Sequence, residues 1–276
     1  MNDPILSIVI ANYNYGRFLG AAIQSVLRQD GFESCELIVV DGGSSDNSID
    51  VIKKYADRIA WWVSEKDNGQ SDAFNKGFAH ARGKYLTWLN ADDVMPAGCM
   101  VKIVRELVRH PNCEWFTGNF YRFTNDGTII ECAWGPNSIP FWLQSKGQPL
   151  AVYGPSTFFS KKLFDCMGQM KVYQNFMMDT DLWMRFIVAG VKQRRINCFC
   201  WAFRMHEDSK TAEYGEHKLS KEQRAKFEAE RKRSISETGY KPSALNRRLI
   251  QFWRLLDGSV LKGMWLKRTF KHVEVV

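Results

Sequence analysis

No apolar run in this 276-residue chain approaches the roughly 20 residues that a membrane-spanning helix needs, which argues against helical membrane spans. The opening MNDPILSIVIANYN lacks a basic n-region and a small-residue cleavage site, so a cleaved leader is not expected there. Cysteine is sparse and odd in number, seven at irregular spacings, which fits reduced cytosolic thiols rather than a disulfide framework. Cys198 and Cys200 have no second Cys/His pair at zinc spacing and read as strand residues. GxGxxG and GxxxxGK[ST] are both absent, which removes the Rossmann dinucleotide fingerprint and the P-loop. There is no internal repeat and no low-complexity linker. Residues 1–230 have no charge excess either, with 27 Lys/Arg and 27 Asp/Glu. The net charge of +8 therefore sits in residues 231–276, which hold 11 Lys/Arg against 3 Asp/Glu. A neutral body with a basic tail points to an anionic partner surface for the tail, not to a basic active site.

What is present is ordinary globular composition, 45% hydrophobic and 25% charged, with strands and helices alternating through the first half. The pattern predicts strands over 6–11, 36–40, 59–63 and 84–89. Helices are expected over 19–28, up to about Tyr55, over 70–81 and over 97–109, the last with apolar residues at helical spacing. Such alternation implies βαβ units and a largely parallel, helix-covered sheet. Ligands bind beyond the carboxyl ends of such strands. Three of the strands end in polar loop sequence there: ANYN, DGGSSD and NADD. After Pro111 come short strands and loops rich in Trp, Phe and Tyr, then FMMDTDLWMRFIVAG, where acids precede an amphipathic helix. A strand near Arg195–Arg204 follows. From about Lys210 the chain is polar and helix-prone.

Each polar segment supports more than one reading. Asp92 and Asp93 follow an apolar strand, where a carboxylate pair can hold Mg²⁺ or Mn²⁺ beside phosphates. Equally, acids ahead of a helix complement its dipole. In VVDGGSSDNS, Asp46 looks like a helix cap while Asp41 is left over to meet a ribose or base. GQSD opens a helix whose amides could approach a phosphate, or Ser71 or Asp72 is a plain cap. Asp179 and Asp181 precede a helix bearing Leu182, Trp183, Phe186 and Ile187 on its buried side. One of them could deprotonate an acceptor hydroxyl, or both are helix-start acids. His206 is a metal or phosphate ligand or a surface residue at a strand end.

The order of these pieces resembles the inverting family 2 glycosyltransferases of GT-A fold, of the type that builds bacterial surface glycans. The resemblance runs over roughly residues 5–211 through SIVIANYNYGRFLGAAIQSVL, ELIVVDGGSSDNS, DNGQSDAFNKGF, GKYLTWLNADD, GPSTFFSKKLFDCMG, MMDTDLWMRF and FRMHEDSKT. It implies an α/β GT-A catalytic domain over 1–210, with a mostly parallel central sheet. Residues 1–110 would form the nucleotide-sugar half and 111–210 the acceptor half, with a basic helical extension over 211–276. The resemblance also implies a divalent cation (Mn or Mg), bound chiefly by Asp92 with Asp93 and His206. The donor is a nucleoside-diphosphate sugar, UDP first. Ala11, Tyr13, Asn14 and Asp41 would line base and ribose, and Asp72, Lys76, Asn90 and Ala91 the diphosphate–sugar end. Asp179 matches the family's catalytic base, activating a hydroxyl of a glycan or lipid-linked acceptor. Asp181 and Trp183 would lie on the acceptor side with the aromatic segment 134–159. Asn90 stands where an acid is more usual, Gly42 follows Asp41 where a second acid is frequent, and Thr180 replaces an aromatic.

Two other classes stay in view: a non-catalytic nucleotide- or glycan-binding protein on the same fold, and a sugar nucleotidyltransferase, for which ANYNYGR is a poor phosphate loop. A nucleic-acid binder would explain the tail but not the acids. RRLIQFWRLLDG and LKGMWLKRTFK suit an interfacial helix on anionic lipid, or a helix pair packed on the protein. The expected location is cytoplasmic, at or near the inner membrane face.

Overall fold

The computed structural model describes residues 3–135, 154–208, 220–241 and 244–273. The aromatic segment expected on the acceptor side lies mostly outside these residues, as do Ser209 to Thr211 of HEDSKT. β1 (Leu6–Asn12), β2 (Cys35–Asp41), β3 (Trp61–Ser64) and β4 (Tyr85–Asn90) pair in parallel in the order β3-β2-β1-β4. β1 is buried at every position, as a strand covered by helices on both faces must be. Its side chains divide between the two faces. Ile8 and Ile10 join the layer that α1 (Gly16–Leu27), α2 (Ser48–Lys54) and α4 (Cys99–Arg109) cover. Val9 and Ala11 join the opposite layer under α3 (Gln70–His80). α3 lies so close to β1 that a Cβ on Gly77 would sit 2.3 Å from Val9 Cγ1.

Most predicted elements lie within two residues of the observed ones. α1 starts three residues early, at Gly16, where Asp46 Oδ2 accepts its first amide at 2.8 Å. The same carboxylate takes the Ser48 amide at the head of α2, so one acid serves two helix starts. α4 begins at Cys99 rather than residue 97 because Gly98, with φ of 68°, breaks the helix there.

β7 (Thr157–Ser160) runs antiparallel to β4 and also to β5 (Trp115–Thr124), so β5 points the same way as β4. β6 (Ile129–Ala133) pairs antiparallel with the second half of β5. The long β8 (Gln193–Met205) runs parallel along β5, so its carboxyl end lies at the same edge as those of β1, β2 and β4. That topology brings residue 206 to residue 92. Between Thr117 and Phe120 the register shifts twice, β8 carrying extra residues there, as bulges beside functional sites often do. Beyond the bulge, Val94 and Ala202 exchange backbone hydrogen bonds at 3.1 and 2.9 Å and stitch the loop after β4 onto β8.

α5 (Lys161–Cys166) and α6 (Met178–Val188) follow β7. Trp183 of α6 is fully buried between Trp88 and Trp115, ring centroids 5.8 Å apart on each side. The C-terminal extension is helical. α7 (Lys221–Thr238) opens with a capping box of Ser220 and Gln223 and packs on α6. α8 (Ala244–Leu256) and α9 (Ser259–Thr269) form a hairpin, and α9 rests on β6. No helix among the described residues is long and apolar enough to cross a membrane.

Candidate active site

Asp92 and His206 meet at the carboxyl edge, Asp92 Oδ2 and His206 Nε2 lying 3.0 Å apart. The histidine arrives on the end of β8, and its ring packs on Phe18 (4.6 Å between centroids) and edge-on to Tyr15. Both aromatics belong to the turn and first helix after β1. Tyr15 donates its hydroxyl to the Asp208 carbonyl, and Arg17 pairs with the Asp208 carboxylate, so the segments after β1 and β8 hold one another. Burial, then the nearby Asp92 and Asp208 charges, push the Tyr15 phenol up to about 12, so it stays a neutral donor. His206 Nδ1 is buried and has no hydrogen-bond partner among the described residues.

Asp93 takes a different course from its neighbour. It is fully buried and accepts three N–H bonds: from Asn90 Nδ2 at 2.7 Å, Trp201 Nε1 at 2.9 Å and the Arg204 amide at 2.9 Å. Burial first, and the adjacent Asp92 charge second, raise its carboxyl well above the ordinary carboxylate range, against the pull of those donors. The expectation of a second metal ligand here is corrected: both oxygens face inward and hold β8 to β4. Arg204 strengthens the junction by donating from Nε to the Asp92 carbonyl at 2.8 Å. Its guanidinium lies over the Phe18 and Phe123 rings, and burial lowers its pKa.

The same network explains Asn90. Its Oδ1 accepts from Gln70 Nε2 at 2.9 Å while its Nδ2 donates to Asp93. An amide does both without holding a proton, whereas an ionised aspartate would set a carboxylate against a buried carboxyl. Ala91 is buried in the turn between them.

On the donor side, Asp41 is buried and accepts from five groups: Asn12 Nδ2, the amides of Gly43 and Ser44, and the hydroxyls of Ser44 and Ser64. A carboxylate has about four lone-pair sites, so Asp41 has none left to offer outward. Burial would raise its pKa, but the Ser44, Ser64 and Asn12 bonds outweigh it and hold the carboxyl below its usual value. The expected contact of Asp41 with a base is thus replaced, in this conformation, by bracing of the loops after β1 and β2. Asn14, at φ of 55°, joins the brace by accepting the Ser45 amide at 2.8 Å. Gly42 leaves room for Asp67, whose Oδ2 would lie 2.6 Å from a Cβ at that position. Ala11 is buried below this rim, whereas Tyr13 stands 60% exposed on it. Asp72 accepts the Asn68 amide at 2.9 Å, and Lys76 lies 3.0 Å from Glu65 and 3.8 Å from Asp72. It is Gln70, not Asp72, that reaches the end of β4.

Asp179 opens α6. Its Oδ1 accepts the Thr180 amide and hydroxyl, and its Oδ2 makes no hydrogen bond among the described residues. Burial raises its pKa, partly offset by those two bonds. A Cβ built on Gly154 would lie 3.5 Å from that free oxygen, 3.7 Å from Trp88 Cζ2 and 4.0 Å from Trp201 Cη2. The Trp201 indole therefore spans the floor between the two acid pairs, its Nε1 on Asp93 and its far ring edge beside Asp179's neighbour. Ser71 latches α3 to this side by donating to the Gln174 carbonyl at 3.1 Å. Asp181 and Trp183, expected on the acceptor side, are corrected to interior roles, which for Trp183 is the buried side that its helical spacing predicts. Asp181 is buried and pairs with Arg185 at 2.9 Å, and Trp183 fills the core. Sequence reasoning also passed over Gln70, Trp201 and Arg204. The lone signal for the last two was their place just before His206 in a strand ending at the polar edge.

Among the described residues, no group of three or more His, Cys, Asp and Glu side chains is gathered to hold a metal ion. Asp92 and His206 supply two donors. Cis ligands about 2.1 Å from an octahedral ion sit about 3 Å apart, as these do, and Mg²⁺-type sites take further ligands from water and phosphate. One carboxylate and one imidazole fit such an ion, with its remaining ligands left to water and phosphate.

The family model described as glycosyl transferase family 2 matches residues 7–168. A curated relative, the Escherichia coli UDP-Glc:alpha-D-GlcNAc-diphosphoundecaprenol beta-1,3-glucosyltransferase WfgD, is 29% identical over 142 residues, 51% of this chain and 55% of that protein. An uncharacterized glycosyltransferase of Nostoc is 41% identical over 102 residues, 36% of this chain and 31% of its own. The chain thus spans about a third to about half of the length of these relatives. Among solved structures, S. aureus TarS residues 1–349 with UDP superposes with a TM-score of 0.59 at 12% identity, over 98% of this chain and 94% of that one. The Pyrobaculum calidifontis mannosyltransferase PcManGT with GDP-Man and Mn2+ gives 0.59 at 14% identity, over 98% and 75%. The fold is GT-A, and the chain belongs to glycosyl transferase family 2.

Proposed function

We propose that this family 2 glycosyltransferase moves a sugar from a nucleoside-diphosphate donor to a hydroxyl of a glycan or lipid-linked acceptor, with inversion, in surface-polysaccharide synthesis. The observation that carries the reading is the division of labour at one sheet edge. Asp92 and His206 offer paired donors, while across the Trp201 indole Asp179 keeps a free carboxylate oxygen. WfgD is named for a UDP-glucose donor and a diphosphoundecaprenol acceptor, which supports UDP and a lipid-linked acceptor as the first substrates to try. An acceptor of that kind would place the enzyme at an anionic membrane surface, on its cytoplasmic face.

Asp92 and His206 would hold a divalent cation, Mn or Mg. When bound, it neutralises charge on the departing nucleoside diphosphate. The other tasks fall to the chain itself. Tyr13 offers an exposed ring to the base, on a rim that Asp41 and Asn14 keep rigid. Asn90, Asp93 and Arg204 fix where the Asp92 backbone and carboxylate stand. Asp179 Oδ2 takes the proton of the acceptor hydroxyl as its oxygen attacks the anomeric carbon and the diphosphate leaves. One displacement inverts the centre, and no covalent enzyme nucleophile is required.

The test is a panel of UDP-, GDP- and dTDP-sugars with Mn²⁺ or Mg²⁺, reading thermal shift and nucleoside-diphosphate release. A sugar nucleotide that both stabilises the protein and is turned over, with EDTA removing turnover, supports the proposal. Binding without turnover toward any acceptor or water would point instead to a non-catalytic nucleotide-binding protein. Turnover indifferent to EDTA would remove the cation from the scheme.

A further inference from the structure

Helices of a folded protein ordinarily turn their apolar stripe inward, and α8 and α9 turn one outward. On α8, Leu249, Phe252, Leu255 and Leu256 recur at helical spacing and all are exposed, Leu256 at 66%. On α9, Leu261, Met264 and Trp265 do the same, Trp265 at 61%, while Ser259, Gly263 and Leu266 form the buried side. A Cβ on Gly263 would lie 2.8 Å from the Cys132 carbonyl, so the inner face is already pressed against β6 and cannot be the one left over. The exposed side chains are large and sit on consecutive helices joined through Asp257 and Gly258.

The charge of the hairpin is predominantly positive, although Glu131 of β6 lies beneath it. From Ala244 to Val273 the chain has seven Lys/Arg and a single acid, Asp257. Arg248, Lys267, Arg268 and Lys271 are exposed, and Lys262 sits 4.1 Å from the Trp134 ring centroid. A second copy of this chain is a poor occupant, because a two-fold contact through this face would set cations against cations. Trp, Phe and Leu in an outward stripe beside Lys and Arg match an anionic lipid surface, which accepts apolar side chains at the acyl boundary and cations at the headgroups.

We propose that the α8–α9 hairpin docks the protein on an anionic lipid bilayer, with Phe252 and Leu256 of α8 and Leu261 and Trp265 of α9 entering the interface. The hairpin packs on β6 and against Trp134, where the aromatic segment begins, so docking presents the half of the protein that follows β5 to the membrane. The hairpin surface lies apart from the Asp92–Asp179 site, and its docking does not depend on sugar transfer being the reaction.

The experiment is co-sedimentation of the full chain with phosphatidylglycerol-rich vesicles and with pure phosphatidylcholine vesicles, at low and high salt. The wild type is expected to pellet with the anionic vesicles and to be released by salt. The double variant Phe252→Ser/Trp265→Ser should lower that binding about tenfold or more. Its melting temperature should not fall, because both side chains face solvent. Lys267→Glu/Arg268→Glu serves as a second variant that spares the apolar stripe, and it should weaken anionic binding alone. Equal pelleting of wild type and both variants, or no preference for anionic lipid, overturns the proposal. So does a concentration-dependent dimer in light scattering that Phe252→Ser/Trp265→Ser abolishes, since the face would then be a protein interface. Failure here leaves donor turnover untouched, and failure of the donor panel leaves vesicle binding untouched.

Discussion

Asp92–Asp93 at the end of β4 and Asp179–Asp181 at the head of α6 are both carboxylate pairs with one member turned to the site and one locked inside. The locks differ in kind. Asp93 is held by neutral N–H donors from Asn90, Trp201 and the Arg204 backbone, whereas Asp181 is held by the Arg185 guanidinium. The neutral lock ties two distant strands together and leaves a buried carboxyl next to Asp92, whose ionisation burial and the Asp92 charge both oppose. The ionic lock closes one helix turn, and through the Arg185 bond to the Met167 carbonyl it also holds α6 to the end of α5. Adjacency in sequence therefore says little about which acid of a pair does chemistry. What decides is whether its oxygens are already spoken for.

The comparison breaks most visibly at Asp179. Asp179→Asn should lower sugar transfer about 10²–10⁴-fold, the usual worth of a general base. Burial raises the folded-state pKa, so the carboxyl's stabilising proton is lost as pH rises through that value. The variant should therefore melt no lower than wild type at pH 7. For the same reason the acid limb of wild-type activity should have its midpoint above the ordinary 3.8. Near-normal transfer by folded Asp179→Asn would reverse the roles of the pair and move attention to Asp181.

Asp181→Ala comes next. It leaves Arg185, 12% exposed, without its counter-ion and should cost about 3 kcal/mol in urea unfolding. A drop in turnover with no loss of stability would show that Asp181 is not the lock described. Asp93→Asn keeps one acceptor oxygen for three donors and should cost about 1–3 kcal/mol. It should also weaken Mn²⁺-dependent donor binding by loosening the Asp92 loop. Unchanged stability would place Asp93 among the ligands after all.

Asn90→Asp is the smallest and the most pointed. It restores an acid at a position where acids are more usual, yet here it would face Asp93. One carboxyl of the new pair would have a raised folded-state pKa, so the deficit is absent in acid and appears as pH rises. Two carboxylates in contact should cost about 1–2 kcal/mol at pH 7, read as a lower urea midpoint there than in acid. A variant as stable as wild type at every pH would mean that the Gln70–Asn90–Asp93 chain is not the reason for the amide.

The parallel half of the sheet was legible because buried strands such as Leu6–Asn12 are continuous apolar runs bounded by turn residues. Asp92, Asp179 and His206 were singled out by their place at strand and helix ends, and topology brings the first and last together. Asp93 and Asp181 were not distinguishable from their neighbours, because their partners lie 108 residues away at Trp201 and one helix turn on at Arg185. Helical spacing put Trp183 on a buried side, but its stacking partners, Trp88 and Trp115, come from two other strands and were not legible. Trp201 and Arg204 were hidden by the bulge in β8, which breaks the alternation that would reveal a strand's faces.

The stitch between Val94 and Ala202 also sets an order of events during synthesis. Asp92 and His206 are 114 residues apart, and at about 5–20 residues per second the first waits on the order of ten seconds for the second to leave the ribosome. Through that interval β1 to β4 can pair, but the acids at their edge have neither imidazole nor indole beside them. β8, the last of the described strands to emerge, is the closing step that brings His206 and Trp201 to the edge of the half-sheet.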